Sequence, residues 1–425
     1  MREQVVVTGL GVVSPIGIGV DAFWASLVDG KSGVRPLTLF DASLLPVRFG
    51  GEVIDFDAKK YVRPRKSLKV MSRDIQLAFS AADQALIQAG IQPGTIDSER
   101  FGVVFGSDLI QPDPEETAIA YRNCLTDEGF DFSKWGDKSQ TDIYPLWMLK
   151  HLPNMPACHI GIAFDARGPN NTITLGEVSG AAAAAEAVRV IERGQADVML
   201  TGGTGTRVKP TSMVRNCAGE ASHRNDEPQR AARPFDAERD GEVFGEGAAA
   251  LVLESRREAR RRGAAILAGC AGIGNAFGRR DEGGVGEQAI VASIAAALKQ
   301  AGLTAGDIGF VCAFGRGTKV DDVVEAHAIH AALGDVPVTV PKSFFGNVGS
   351  GGAAVDMVAA VLGLRASQIP PTLNYEHPDP ACPVSVVAQA TTCDKPAALV
   401  LSQTPMGQAT AVCLLRPTAE TVAAD

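Results

Sequence analysis

Six apolar runs, spread over the whole chain, indicate the strands of the protein. They read QVVVTGLGVV, RFGVVFG, ADVMLTG, GAAALVLE, GFVCAFG and AALVLS. Each run is continuously apolar rather than alternating, which is typical of central strands covered on both faces. Two stretches of small residues, 175–188 and 345–360, predict tight turns that open helices. We expect those helices to be buried between sheets, because only Ala and Gly allow such close approach.

The order of these elements repeats along the chain. Each half has an amphipathic helix that ends at a glycine and leads through a turn into a strand, then a small-residue helix, then a strand with a loop. The matching segments are 81–107 and 294–318, 175–188 and 345–360, and 197–206 and 398–407. Three elements that recur in the same order favour a duplicated α/β unit, although Ala/Gly-rich stretches can also resemble one another by chance.

The pattern therefore predicts a duplicated fold with α/β/α/β/α layers. We expect an N-terminal half over residues 1–255 and a C-terminal half over residues 256–425, with the boundary in the run SRREARRRG. A chain of 425 residues is longer than one ordinary hydrophobic core can serve, which agrees with two related halves.

Composition narrows the class of protein. The net charge of −9 argues against nucleic-acid binding, and no apolar run reaches the length of a membrane span. The N-terminus runs straight into a strand without a signal-peptide pattern. The eight cysteines are scattered without a CxxC pair, so we expect free thiols and neither a zinc site nor a disulfide framework. These features predict a cytoplasmic protein without a metal or cofactor.

Seven motifs carry a resemblance to a known family. They are VVVTGLGVVSPIG (5–17), GPN (168–170), ADVMLTGG (196–203), ARPFDAERDGEVFGEGAAALVLE (232–254), VEAHAIHAALGD (324–335), VPKSFFGNVGSGGAA (340–354) and PTLNYEHPDP (371–380). In order and spacing they resemble a β-ketoacyl synthase of the thiolase superfamily, as in type II fatty acid and polyketide synthesis. The combination of RPFD, RDG and GEGA is specific, and the resemblance covers nearly the whole chain. It implies a thiolase-like fold and a dimer.

The resemblance also implies a catalytic set that this chain lacks. Family members use a Cys at a strand-to-helix turn, two His residues and a Lys. Here the turn reads LGEVSG, which places Glu177 at the Cys position. Phe314 and Asn347 stand at the two His positions, and only Lys342 is retained. The six histidines all lie elsewhere, and TPMGQA at 404–409 replaces the family's GFGGTN gate loop.

Glu177 raises the question of what a carboxylate does at the nucleophile position. A carboxylate at a helix N-terminus is typically stabilised by about 0.3–1 kcal/mol, and a buried one needs a partner. Arg316 stands where the family has a Thr that contacts the pantetheine arm. We therefore predict that a Glu177–Arg316 ion pair, the pocket plug, fills the emptied site, with Lys342 beside it and Phe314 closing the rest. The alternative is that Glu177 is a general base in a remodelled reaction.

Two surface features remain open to two interpretations each. The run 58–73 is strongly basic and contains Lys59, Lys60, Arg63, Arg65, Lys66 and Lys69. The resemblance implies that acidic acyl carrier proteins dock on such a patch, but a solvated face explains it equally well. The insert at 108–160, with Trp135 and Trp147, could present an apolar face to a partner or pack on its own chain.

The chain most resembles a chain-length factor (KSβ), the silent partner of an active ketosynthase. The resemblance implies a heterodimer whose shared tunnel limits the growing polyketide or polyene chain. Chain-length factors often carry Gln at the Cys position, so Glu177 departs from them too. Two alternatives remain: a homodimeric enzyme that uses Glu177 or Lys342 on an acyl thioester, and a stand-alone binder of acyl groups or carrier proteins.

Overall fold

The computed structural model describes residues 4–278 and 286–417. The strands are β1 Val5–Ser14, β2 Gly17–Ile18, β3 Val34–Pro36, β4 Phe49–Gly51, β5 Phe101–Gly106, β6 Leu125–Thr126, β7 Gly129–Phe130, β8 Asn170–Ile173, β9 Val198–Thr206, β10 Glu246–Ser255, β11 Ala268–Phe277, β12 Ile308–Cys312, β13 Pro337–Thr339, β14 Gln368–Ile369, β15 Ser385–Val386, β16 Thr391–Thr392, β17 Ala397–Gln403 and β18 Gln408–Leu415. The α-helices are α1 Val20–Val28, α2 Arg73–Gln88, α3 Pro114–Asn123, α4 Trp135–Asp142, α5 Met155–Phe164, α6 Ser179–Glu192, α7 Pro210–Asn216, α8 Arg256–Arg261, α9 Glu287–Ala301, α10 Asp321–Leu333, α11 Lys342–Phe345 and α12 Gly352–Ala366.

The main sheet repeats one strand order in both halves. In the first half the order is β8-β5-β9-β10-β1, and in the second it is β13-β12-β17-β18-β11. In each half the first two pairings are parallel and the last two are antiparallel. The corresponding strands also follow one another in the same chain order. The predicted duplication is confirmed by this topology.

The two half-sheets are joined rather than separate. Strands β1 and β11 pair antiparallel through Val5 with Cys270, Val6 with Gly269 and Val7 with Ala268. The sequence predicted two distinct sheets around the small-residue helices, whereas the hydrogen bonds form one continuous path. The layers themselves agree with the prediction, because sheet twist lets one path present two faces to the same central helices.

The central layer is built from the two small-residue helices. Helix α6 packs on β5 and β9, and α12 packs on β10, β17 and α6. Helices α2 and α5 cover the outer face of the first half-sheet, while α9 covers that of the second and α10 packs against α9. Helices α2 and α9 are followed by Gly90 and Gly302, both at φ +68°, as the repeat predicts. The α/β/α/β/α layering is therefore confirmed.

Backbone contact between the halves depends on glycines of β9. A Cβ added at Gly205 would lie 2.0 Å from the carbonyl oxygen of Val348, and one at Gly203 would lie 2.4 Å from that of Ser350. Both glycines therefore face the turn that precedes α12. This turn is one wall of the candidate site described below, so the glycines fix the distance between the two halves there.

None of the helices in the described ranges, 4–278 and 286–417, combines the length and the apolar character needed to cross a membrane. All eight cysteines are unpaired thiols, as the sequence predicts.

We expect Gly205→Ala to destabilise the protein by about 1–3 kcal/mol, because the new methyl group collides with backbone that cannot yield cheaply. Chemical denaturation of the purified chain measures this difference. Gly136→Ala is the matched control, because Gly136 lies in α4 with nothing within 4 Å of an added Cβ. Equal stabilities of the two variants would show that β9 and the turn are not tightly packed.

Candidate functional site

Glu177 lies in a single turn of 3₁₀ helix, Gly176–Val178, between β8 and α6. The turn begins at Gly176, whose φ of +60° suits glycine. Three hydroxyls hold its backbone: Ser179 and Ser350 donate to the Gly176 carbonyl over 2.6 and 3.0 Å, and Ser402 donates to the Glu177 carbonyl over 2.9 Å. The Ser179 hydroxyl is thus engaged with the backbone of the turn. The turn presents a side chain that is only 7% exposed.

The partner of Glu177 is Arg207 and not Arg316, which corrects the sequence prediction. Arg207 Nη2 donates to Glu177 Oε1 over 2.5 Å, and Arg207 Nη1 lies 3.5 Å from Glu242 Oε1. Burial by itself would lower the pKa of Arg207, but the carboxylates of Glu177, Glu242 and Asp108 raise it above its usual value. The Glu177 carboxylate is therefore held by a permanent cation at the end of β9.

Arg316 is bound by other acids at the mouth of the same site. Its Nη1 donates to Asp321 Oδ2 over 2.6 Å and lies 3.6 Å from Glu220 Oε2. Its Nε lies 3.6 Å from Glu242 Oε1. Arg316 therefore stays in the site, 17% exposed, but the predicted direct ion pair with Glu177 is not formed.

Glu242 connects the two arginines. Its Oε1 faces both guanidinium groups and also accepts a short hydrogen bond from Asn347 Nδ2. Asn347 is 3% exposed, and its Oδ1 accepts from the Gly349 amide over 2.8 Å. We call Glu177, Arg207, Glu242, Arg316, Asp321 and Asn347 the ion cluster. Glu177 and Asn347, two of the three residues at the family's catalytic positions, thus each have polar partners in this cluster.

Lys342 and Phe314 form a separate pair behind the ion cluster. Lys342 Nζ donates to Asp356 Oδ2 over 2.6 Å, and Lys342 lines a cavity together with Arg316 and Asn347, so it lies beside the ion cluster as predicted. The same ammonium lies 4.6 Å from the ring centroid of Phe314, a cation–π distance. Phe314 is 3% exposed and fills apolar volume, as predicted.

Two buried carboxylates on α10 shape the loop that carries Phe314 and Arg316. Glu325 accepts from the Phe314 and Gly315 amides over 2.7 Å each, and Asp322 accepts from the Gly317 amide over 2.8 Å. Burial raises the pKa of Glu325 to about 7 and that of Asp322 to about 6. The loop is therefore held by the carboxyl groups of Glu325 and Asp322, whose burial disfavours their charged form.

Little open space remains around these residues. A cavity of about 20 Å³ is lined by Arg316, Lys342 and Asn347 among others, and one of about 10 Å³ by Phe314, Arg316 and Gln403 among others. Sites for organic ligands are typically about 300–1,000 Å³. Each of these cavities has room for about one water molecule. The position of the gate loop is taken by a tight turn from Thr404 to Gly407 between β17 and β18.

The comparisons with known proteins agree with this geometry. The model of the "Beta-ketoacyl synthase, N-terminal domain" matches residues 2–259, and that of the "Beta-ketoacyl synthase, C-terminal domain" matches residues 267–376. The chain belongs to the β-ketoacyl synthase family.

Individual relatives of this ketosynthase-family chain include both 3-oxoacyl-[acyl-carrier-protein] synthases and polyketide ketosynthases. The "3-oxoacyl-[acyl-carrier-protein] synthase 2" of Synechocystis sp. is 35% identical over 91% of this chain and 91% of its own. The "Putative polyketide beta-ketoacyl synthase 1" of Streptomyces cyaneus is 37% identical over 91% of this chain and 92% of its own. The structure of the "ishigamide ketosynthase/chain length factor" superposes with a TM-score of 0.86 at 29% identity, over 98% of this chain and 99% of that one. The structure of "AntDE:AntF (apo)", a "type II PKS acyl-carrier protein in complex with its ketosynthase", has a TM-score of 0.79 at 28% identity over 98% and 99%.

The six residues of the predicted basic patch all lie exposed at the surface of the ketosynthase chain. They are Lys59, Lys60, Arg63, Arg65, Lys66 and Lys69. Within residues 4–278 and 286–417, no carboxylate forms an ion pair with any of them. By contrast, Arg261 and Arg262 in the second basic run pair with Glu258 and Glu254.

The insert at 108–160 packs in part on its own chain, and whether it also faces a partner stays a prediction. Tyr121 and Trp135 pack together with ring centroids 4.8 Å apart. Other apolar side chains of the insert remain at the surface, among them Leu109 at 63% and Phe132 at 81% exposure.

Within the described part of the chain, no group of three or more His, Cys, Asp or Glu side chains is arranged to hold a metal ion.

Sequence reasoning missed Arg207 and Glu242. Arg207 lies 30 residues after Glu177 in the chain, and only the parallel pairing of β5 with β8 and β9 brings the two together. The signal in the sequence was a cation directly after the buried glycine-rich run GGTGT. A buried carboxylate needs a cation nearby, and an arginine directly after a central strand is a candidate for that cation.

We expect Glu325→Gln to gain stability relative to the wild type as pH rises. The folded pKa of about 7 lies above the ordinary value of 4.5, so the wild type loses stability as pH rises through this window. The relative gain between pH 4.5 and 8 should be on the order of 3 kcal/mol, at about 1.4 kcal/mol for each pKa unit. Denaturation curves at several pH values measure it.

The control for this pH series is Gln288→Ala, a change at an exposed position of α9. Neither side chain titrates, so its stability difference from the wild type should not vary with pH. A Glu325→Gln difference that is the same at pH 5 and pH 8 would contradict the assignment of a destabilised buried carboxylate.

Proposed function

We propose that this chain is the catalytically silent subunit of a two-subunit ketosynthase, a chain-length factor, in type II polyketide, polyene or fatty acid synthesis. One observation carries the proposal: the residue at the nucleophile position is a carboxylate bound to Arg207. An acyl thioester needs a thiol at this position, and this chain has none there, while the family's fold is retained throughout.

The retained parts of the site support a structural role. Lys342 with Asp356, and Glu325 with the loop amides, are buried interactions that position backbone and do not require a substrate. The similarity to the ishigamide ketosynthase/chain length factor, over 98% of the chain, supports a place in a pair of this kind. Under this proposal the partner ketosynthase performs the condensation, and this chain contributes walls to a shared tunnel for the growing product.

The alternative of a remodelled enzyme is less well supported. A general base must be free to take a proton, but Glu177 is paired with the permanently charged Arg207 over 2.5 Å. The other candidate, Lys342, is paired with Asp356 and covered by Phe314. Both groups are thus occupied within the fold, and the cavities beside them hold no more than a water molecule each.

We expect the tagged chain to co-purify from its own host in a one-to-one complex with a ketosynthase that carries the catalytic Cys. Native mass spectrometry measures the masses and the ratio. The same tag on the C-terminus of the partner should recover this chain in return. A homodimer in both the lysate and the purified sample, with no second ketosynthase, would remove the main support for a silent subunit.

We also propose that the basic patch docks an acyl carrier protein. The combined change Arg65→Glu, Lys66→Glu and Lys69→Glu should weaken binding of an acidic carrier protein to the complex by roughly tenfold or more, because it reverses three exposed charges. Calorimetric titration at two salt concentrations measures the affinity and its screening. Arg257→Glu, at an exposed cation of α8, is the control and should leave the affinity unchanged. Equal affinities for all three proteins would assign the patch to solvation only.

A further inference from the structure

The feature that carries a further inference is the way Arg207 is held. Its amide donates to the Gly245 carbonyl over 3.0 Å, and its carbonyl accepts from Asn216 Nδ2 over 3.2 Å. Its side chain lies along the Gly349 turn, where an added Cβ would come within 3.2 Å of Arg207 Nε. Gly349 also has φ +65°, so this position favours glycine both for its backbone conformation and for the space that Arg207 needs. The guanidinium is therefore positioned by backbone contacts that do not involve Glu177.

The hydrogen-bonding capacity of Arg207 is divided between two acids. Glu242 Oε1 lies 3.5 Å from Nη1, and the same oxygen also faces Asn347 and Arg316. Glu177 Oε1 takes Nη2 at 2.5 Å. Glu242 Oε1 is thus shared among three donors. Arg207 Nη2, by contrast, is bound by the carboxylate of Glu177, a side chain of the same protein.

We propose that Arg207 forms a carboxylate-binding site and that the side chain of Glu177 is its built-in ligand. The site takes a free aliphatic carboxylate in place of Glu177 when that side chain is shortened, and it excludes such anions while Glu177 is present. Small solutes can reach the site, since the Arg207 side chain is 21% exposed. The inference goes beyond the proposed function and holds for the chain alone, whichever partner it has.

The group that each substitution removes from Glu177 sets the size of the carboxylate that the site should bind. Glu177→Ala removes a CH₂–COO⁻ group, the size of acetate, and Glu177→Gly removes one more carbon, the size of propionate. A site built around Arg207 should therefore prefer acetate in the first variant and propionate in the second. A general salt effect on stability would not depend on the length of the side chain removed.

The experiment is thermal denaturation of the wild type and both variants in sodium formate, acetate or propionate, each compared with sodium chloride at equal ionic strength. We expect both variants to melt below the wild type. The size-matched carboxylate should raise the melting temperature saturably, by on the order of 2 °C at ten times its Kd for a chain of this length. The wild type should show no carboxylate-specific shift.

Two further variants identify the site. Adding Arg207→Met to Glu177→Ala should abolish the acetate effect, because the guanidinium is then missing. Glu186→Ala is the matched control, since Glu186 of α6 pairs with the more exposed Arg189 and Arg193 and should give no acetate effect. If the Ala variant does not fold in chloride, its yield on refolding in acetate replaces the melting temperature as the readout.

Saturable, size-matched stabilisation that depends on Arg207 supports the proposal. Equal shifts in chloride and carboxylates, an acetate shift that survives Arg207→Met, or no recovery of either shortened variant in any carboxylate would overturn it. None of these results depends on whether the chain is a silent subunit, so failure here and failure of the proposed function are distinguishable.

Discussion

The pairing of Glu177 with Arg207 is the interaction on which the rest of the site depends. An ionised carboxylate taken out of water costs several kcal/mol unless a partner of opposite charge and good geometry receives it. The fold supplies this partner from the end of β9, across the parallel strands β8 and β5. Once the pair is in place, the remaining members of the ion cluster follow, since Arg207 and Arg316 both need the shared carboxylate of Glu242.

The positions of the family's catalytic residues are therefore filled by other interacting side chains rather than left empty. Loss of a Cys and two His residues alone would leave room behind. Here Phe314 fills apolar space over Lys342, Asn347 binds Glu242, and Arg316 is tied to Asp321 at the mouth. Buried ion networks contribute little net stability when they are compared with well-packed apolar residues, but they are strongly position-specific. They therefore suit a site whose side chains are held in one fixed arrangement.

Much of the fold could be predicted from the sequence, because the signals are local and repeated. Continuous apolar runs such as those of β5 and β9 indicate strands covered on both faces, and the two copies of the repeat support each other. The replacement of the family's Cys and two His residues was also predictable, since Glu177, Phe314 and Asn347 stand in motifs with a fixed spacing. The partner of Glu177 was not, because the Glu177–Arg207 contact depends on how strands distant in sequence pair. Arg316, chosen because it stands in a loop that carries a catalytic residue in the family, lies in the same site but has Asp321 as its closest acid.

The central claim is that the nucleophile position of this chain cannot take an acyl group. Intact-protein mass spectrometry of the reconstituted complex, after exposure to an acyl thioester of a carrier protein, tests this most directly, because it reports on each subunit separately. The account predicts an acyl adduct on the Cys-bearing ketosynthase and an unchanged mass for this chain. An acyl adduct on this chain that is lost in Glu177→Gln would contradict the account and make Glu177 a catalytic residue.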